Sequence, residues 1–255
     1  MTCKILKITK LSGIICIMMQ KDILNLRDKA IKQLANKCAG FYLGGGTALS
    51  LYYFNHRESY DLDFFTKKIS EDDIDELMQC LATQLKKKLI RESSVANAKM
   101  AKVLKYYIGD NKDNSLKIDF IEDHFRCFES DKNINGIDIM SLNSLYIRKI
   151  YAFAGIIPKL DPVGRSIPAG GRQSAKDIFD LYHLSHSYET LSKFCHEHFE
   201  KNERDMIGVK SRAISRFDLS CELLDIETSQ DIDTKKIIHE ILNNQIEKMV
   251  LMELD

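Results

Sequence analysis

Residues 41–65 read FYLGGGTALSLYYFNHRESYDLDFF, and the order of their parts decides the fold. Phe41-Tyr42-Leu43 is an apolar, β-prone run, which predicts a strand. Gly44-Gly45-Gly46 then has to turn, because residues without Cβ favour neither a strand nor a helix interior. Thr47 suits an N-cap for a helix over Ala48 to Phe54. Asp61-Leu62-Asp63-Phe64-Phe65 returns as a second strand. Side chains two apart on a strand project from one face, so Asp61 and Asp63 point together while Leu62 and Phe64 face a core.

Upstream, Ile23, Leu26, Ala30, Ile31 and Leu34 recur at helical spacing within Lys21 to Lys37, predicting an amphipathic helix that leads into the first strand. Before it, Lys4, Lys7 and Lys10 precede a short apolar run, Leu11 to Met19. The run imitates a secretion signal but lacks a small-x-small cleavage site, and it is shorter than the roughly 20 residues that span a bilayer. It reads as an extra strand, or as a translated leader upstream of a start at Met18 or Met19.

Downstream, a helix is predicted from about Ser70. Its acidic residues Glu71, Asp72, Asp73, Asp75 and Glu76 sit in the first turns, where carboxylates complement the helix dipole and need no metal. Leu81 to Lys105 carries seven basic residues against Glu92 alone. That is the clearest local basic patch, although a solvated face is the common meaning of such a run. Val103 to Ile108 and Leu116 to Ile121 read as a β-hairpin closed by the turn residues Gly109 to Ser115. Asp119 alternates with apolar neighbours on the second of these strands. Beyond the hairpin the strands are predicted to stop. Helical patterns occupy Ser141 to Gly155, Ser174 to Tyr188 and much of the C-terminal third. Pro158, Pro162 and Pro168 share one connection with Gly164, Gly170 and Gly171, the composition of an active-site loop or a lobe boundary.

Composition limits the partners. Lysine plus arginine equals aspartate plus glutamate at 37 each, so no global field attracts a nucleic acid or an anionic membrane, and such binding must use a local patch. Seven cysteines without a CxxC pair fit reduced thiols in a cytoplasmic compartment. The length suits one large or two small domains.

The residues suggest a chemistry. Adjacent carboxylates repel unless a cation lies between them, and hard oxygen donors suit magnesium or manganese completed by substrate phosphates. With Asp119 as third ligand, one ion would activate an acceptor hydroxyl and another would clamp a triphosphate. The turn Gly44 to Gly46 lets backbone approach phosphate, and the N–H groups of the Thr47 helix would face it. Arg57 and Ser59 could add a guanidinium fork and a hydroxyl. Lys149 lies in an apolar helical stripe with Leu142, Leu145, Ala152 and Ile156, so it either snorkels or aims at the triphosphate. Ser174-Ala175-Lys176-Asp177 is close to a capping box, a role compatible with catalysis. Lys159, Arg165 and Arg172 could touch an RNA backbone, though exposed basic loop residues usually do nothing measurable. His183, His186, His196 and His198 lack a matched ligand set for zinc.

The string Gly45-Gly46-Thr47, nine residues, Arg57-x-Ser59-x-Asp61-Leu62-Asp63-Phe64 resembles the first motif of the AbiEii/AbiGii-type nucleotidyltransferase toxins, a branch of the DNA polymerase β superfamily. The resemblance runs from about Gln20 to Leu184. Asp119 matches the superfamily's third carboxylate, Lys149 with Ala154 resembles the family's second motif, and Lys176-Asp177-Ile178-Phe179-Asp180-Leu181 its third. It implies an α+β fold: a nucleotidyltransferase core over residues 20–135 with a short mixed sheet flanked by helices, then a mostly helical C-terminal lobe over 136–255, with the cleft between them. It implies transfer of a nucleotide from a nucleoside triphosphate to an RNA acceptor such as the 3′ end of transfer RNA, by the toxin of a toxin–antitoxin or phage-defence system with a cognate antitoxin and no membrane partner. Asp61, Asp63 and Asp119 would hold magnesium or manganese. Gly44, Gly45, Gly46, Thr47, Arg57, Ser59, Lys149 and Lys176 would hold the nucleotide, with Asp177 and Asp180 orienting the base or the lysine. The rival readings are a protein or small-molecule hydroxyl as acceptor, and a catalytically silent binding protein of the same fold.

Overall fold

Alternating apolar residues build a seven-stranded mixed sheet. The computed structural model describes residues 19–92, 102–123, 129–155, 157–160, 166–169 and 174–251. The run before Met19, Pro162, Gly164, Arg165, Gly170, Gly171 and Arg172 lie outside these residues, as does the side chain of Lys159. The chain divides into two compact units. The first runs to Thr47 and resumes over Ser59–Met140; the second takes Ala48–Glu58 and the chain from Ser141.

In the first unit a helix, α1 (residues 19–34), buries Ala30 and Leu34. Strand β1 (Tyr42–Leu43) follows, then α2 (Gly45–Leu49), β2 (Leu62–Thr66), α3 (Glu71–Leu85), β3 (Lys88–Glu92), β4 (Val103–Gly109), β5 (Ser115–Glu122), β6 (Ser130–Ile134) and β7 (Ile137–Met140). The strands lie in the order β3-β4-β5-β2-β1-β7-β6. β2 runs parallel to β5 and β1 parallel to β7, while the other pairs are antiparallel. The period of two is visible in the burial. Leu62, Phe64, Leu104, Tyr106, Ile108, Leu116, Ile118 and Phe120 are fully buried, and α3 packs Ile74 and Met78 into the same core. Phe120 stacks on Phe64 at 5.5 Å and meets Tyr106 edge-on at 6.0 Å.

Two expectations need correction. Strands do not stop at the β4–β5 hairpin: β6 and β7 extend the sheet, joined by Asn135-Gly136 with both residues at positive φ. Asn-Gly is a strong two-residue hairpin signal. It escaped notice because Ser130-Asp131-Lys132-Asn133 has no apolar alternation and forms an edge strand. The other correction is the start of α2, at Gly45 and not after Thr47. Thr47 therefore lies inside the helix and does not cap it.

The second unit is mostly helical. A π-helical turn over Ser50–Phe54 ends at Asn55 in the left-handed conformation. Ser141 accepts from Ser144 N–H and caps α4 (Leu142–Ala154), which closes at Gly155 with φ 59°. Pro158 and Pro168 stand opposite each other in the hairpin of β8 (Ile157–Leu160) and β9 (Ser166–Ala169). Five α-helices follow: α5 (Ala175–Ser187), α6 (Leu191–His198), α7 (Lys201–Ala213), α8 (Arg216–Leu224) and α9 (Thr234–Ile238). A π-helical turn then leads into α10 (Glu247–Leu251). α4 packs along α5, and Tyr146 stacks on Phe194 at 4.1 Å. Among the described residues no helix is long and apolar enough to cross a membrane.

Candidate active site

In the first unit the acidic residues meet where β2 runs beside β5. The parallel register sets Asp63 opposite Asp119, and Asp61 precedes the Leu62–Ile118 pair. Asp61 is open to solvent with its side chain 53% exposed, whereas Asp119 is buried. Lys117, two residues before Asp119 on the same strand face, places Nζ 2.8 Å from Asp119 Oδ2 and 3.8 Å from Asp61 Oδ2. Burial raises the Asp119 carboxyl above the usual carboxylate range. The hydrogen bond and charge of Lys117 pull against this, and Asp61 adds repulsion. Asp119 Oδ1 is buried with no hydrogen-bond partner among the described residues.

The glycine turn belongs to this arrangement. Gly44 N–H donates to the Asp63 carbonyl at 2.8 Å. Gly45 has φ 65°, and a Cβ there would sit 2.1 Å from Asp63 Oδ2. Glycine is required twice over, by the left-handed backbone and by the carboxylate against it. A Cβ on Gly44 would meet the Phe65 ring at 2.5 Å. Thr47, also buried, hydrogen-bonds through its hydroxyl to the Asp61 carbonyl and lies 2.9 Å from Ser59 Oγ. The hydroxyl thus ties α2 to the approach of β2, and Arg27 donates to the Ser59 carbonyl.

The donors fit a hard divalent cation. They are carboxylate oxygens, the three acids outnumber the two lysines beside them, Lys117 on β5 and Lys105 opposite Asp119 on β4, and a buried acceptor lacks a partner. Their oxygens are not drawn tightly together. Among the described residues the one group of ligand-type side chains with all donor atoms within 4.8 Å is Glu189, Glu197 and His198. That group already encloses Lys193 Nζ, 2.5 Å from Glu189 and 3.4 Å from Glu197.

The second unit holds a different cluster, built around Asp180 on α5. Arg57 donates to both of its oxygens, Nε to Oδ1 at 2.7 Å and Nη2 to Oδ2 at 2.8 Å. His56 Nε2 donates to Oδ1 at 2.7 Å, and Lys149 Nζ from α4 stands 2.6 Å from Oδ2 and 2.8 Å from Asp177 Oδ1. Asp180 and His56 are wholly buried, and Arg57, Lys149 and Asp177 nearly so. Burial by itself would raise the Asp180 carboxyl, yet Lys149, Arg57 and the hydrogen bonds of Arg57 and His56 hold it well below the usual range. Burial would likewise lower Lys149, but the carboxylates of Asp180 and Asp177 hold it above an ordinary lysine. His183, whose ring lies 4.7 Å from that of His56, is pushed down to about 4, mainly by burial and then by His56. Sequence reasoning passed over His56, which carried only its position beside Arg57. Lys176, on α5, is exposed.

A mixed sheet presenting in-register aspartates behind a glycine turn is the core of a nucleotidyltransferase. The family model for the nucleotidyl transferase AbiEii toxin of type IV toxin–antitoxin systems matches residues 30–255. The chain belongs to that family. Two crystal structures from Helicobacter pylori share the fold. One, described as a candidate nucleotidyltransferase, is 21% identical with TM-score 0.54, covering 92% of this chain and 97% of its own. The other, JHP933, is 20% identical with TM-score 0.53, covering 91% and 92%. No curated protein matches the chain.

Proposed function

We propose that this nucleotidyltransferase transfers a nucleoside monophosphate from a nucleoside triphosphate to an RNA acceptor, the 3′ end of transfer RNA, as the toxin partner of a cognate antitoxin in a toxin–antitoxin or phage-defence system. The observation that carries the chemistry is Asp119, a buried carboxylate with an unpartnered oxygen set in register with Asp63. Asp61, Asp63 and Asp119 would hold magnesium or manganese, which supplies Lewis-acid stabilisation of charge on the triphosphate.

The rest follows from the chain's own groups. The acceptor hydroxyl oxygen bonds to the α-phosphorus, the bond to the β-phosphate oxygen breaks, and pyrophosphate leaves. Asp119 either completes the metal site or receives the hydroxyl proton as general base. Gly44, Gly45 and Gly46 offer a backbone that phosphate can approach, with Thr47 and Ser59 fixing its position. Lys149 and Lys176 supply cations for the triphosphate. Asp177 and Asp180 orient the Lys149 ammonium, while Arg57 and His56 fix Asp180.

Purified protein with magnesium, each labelled nucleoside triphosphate in turn and either total transfer RNA or total protein tests the reading, with Asp61→Ala as control. Label in RNA that the control loses supports it. Label in protein alone moves the acceptor, and tight triphosphate binding without any transfer favours a silent binding protein.

A further inference from the structure

The four charged residues on the acidic face of β2 and β5 are not all acids. Lys117 reaches both Asp119 at 2.8 Å and Asp61 at 3.8 Å, its side chain 29% exposed over a carboxylate that is 9% exposed. Nothing else among the described residues hydrogen-bonds to the Asp119 side chain, and Oδ1 has no partner at all. Lys117 takes Oδ2 of Asp119 and approaches Asp61, and an ammonium and a divalent ion drawn to the same carboxylates repel each other at this range. Lysine also has a flexible stem and a compact charge, so it can withdraw toward solvent without disturbing the strand.

We infer that Lys117 is a resident counter-ion that a divalent cation must displace from Asp119 and Asp61. The lysine keeps the repelling acids together in the metal-free protein and sets how much metal is needed to load them. The inference rests on reading Asp61, Asp63 and Asp119 as the metal site. A lysine that stays in place would also weaken metal binding through its charge, so the freeing of its ammonium when metal binds is what separates displacement from bystander repulsion.

Manganese binding to the full chain is followed by calorimetry and by the spin signal of the free ion. Lys117→Met, which keeps the aliphatic stem, should bind manganese about tenfold more tightly than wild type, the size expected for removing a partly screened charge beside the ion. Lys117→Arg should stay within about twofold, because it keeps the charge. Asp63→Asn should abolish binding. In wild-type protein, acetylation of Lys117 read by mass spectrometry should speed up several-fold on adding manganese, a readout that needs no variant to fold. Unchanged or weaker binding by Lys117→Met, or unchanged acetylation, overturns the inference and leaves the metal site standing if Asp63→Asn still abolishes binding. No binding by wild type or Lys117→Met, or binding that ignores Asp63→Asn, overturns both. Binding by Lys117→Met alone supports the inference in its strongest form.

Discussion

Replacing Asp180 by Asn should unfold the second unit at a markedly lower temperature. The carboxylate is wholly buried and takes two hydrogen bonds from Arg57, one from His56 and a contact from Lys149, all between 2.6 and 2.8 Å. Asparagine keeps one acceptor oxygen but turns an amide donor toward groups that also donate, takes the carboxylate from Arg57 and leaves Lys149 paired with Asp177. Breaking a buried ion pair by removing one partner costs about 3–5 kcal/mol, and two cations sharing the acid put this case near the upper end. For a chain of this size that is about a third of a typical stability, or a melting point lower by about 10–15 °C. Thermal unfolding by circular dichroism at pH 7 measures it, with Asp110→Asn as control, because the exposed Lys87–Asp110 pair should contribute almost nothing.

The acid dependence follows from the same carboxyl. Its folded pKa is depressed, so its contribution is complete above the ordinary carboxylate value of about 4 and is lost as pH falls through the lower folded value. The gap between wild type and Asp180→Asn should therefore be full at neutral pH and shrink below about pH 5. A drop of less than about 3 °C at pH 7, or a gap that widens in acid, refutes the role given to this network.

Gly45→Ala should lower stability by about 2 kcal/mol from its positive φ alone and weaken manganese binding at least about tenfold, because the new Cβ displaces Asp63; calorimetry and melting curves check both. Manganese at about a hundred times its dissociation constant should add about 2.7 kcal/mol of stability. The gain should grow with pH. Asp119 is raised in the folded state, so its protonated form supports folding below the ordinary carboxylate range. That support disappears as pH rises through the raised value, while metal requires the charged form. Melting curves with and without manganese from pH 5 to 8 measure this. His56→Gln, retaining a donor toward Asp180, should keep more transfer activity than His56→Leu, which leaves a smaller set of donors on a buried charge.

Much of the fold was legible because short-range chemistry dictates it. Leu62 and Phe64 alternate with Asp61 and Asp63, and that period alone assigns the strand and its two faces. Leu116, Ile118 and Phe120 do the same for β5. The α4 boundaries follow from Ser141 and Gly155, whereas Ser174 stands at the N-cap of α5 without the side-chain cap bond that its near capping box suggests. What could not be read depends on distant partners. Gly45 begins a helix because its bare Cα leaves room for Asp63, a contact that no local pattern announces. Thr47 bonds to Ser59 and Asp61 across the turn, a pairing that propensity cannot distinguish from a cap. Arg57 finds Asp180 far along the chain, a pairing that nothing in the local motif announces. Two signals were present and unused: Asn135-Gly136 marked the extra hairpin, and the i, i+2 spacing of Lys117 and Asp119 placed a cation on the acidic face.

The most direct test of the central claim is a manganese titration of label transfer from nucleoside triphosphate to transfer RNA, run on wild type and Asp119→Asn with binding of the ion measured in parallel. The account predicts transfer by wild type that rises with occupancy of the ion site, and neither transfer nor full-affinity binding in the variant. Transfer by Asp119→Asn at the wild-type rate, or wild-type transfer undiminished in chelator, would contradict it.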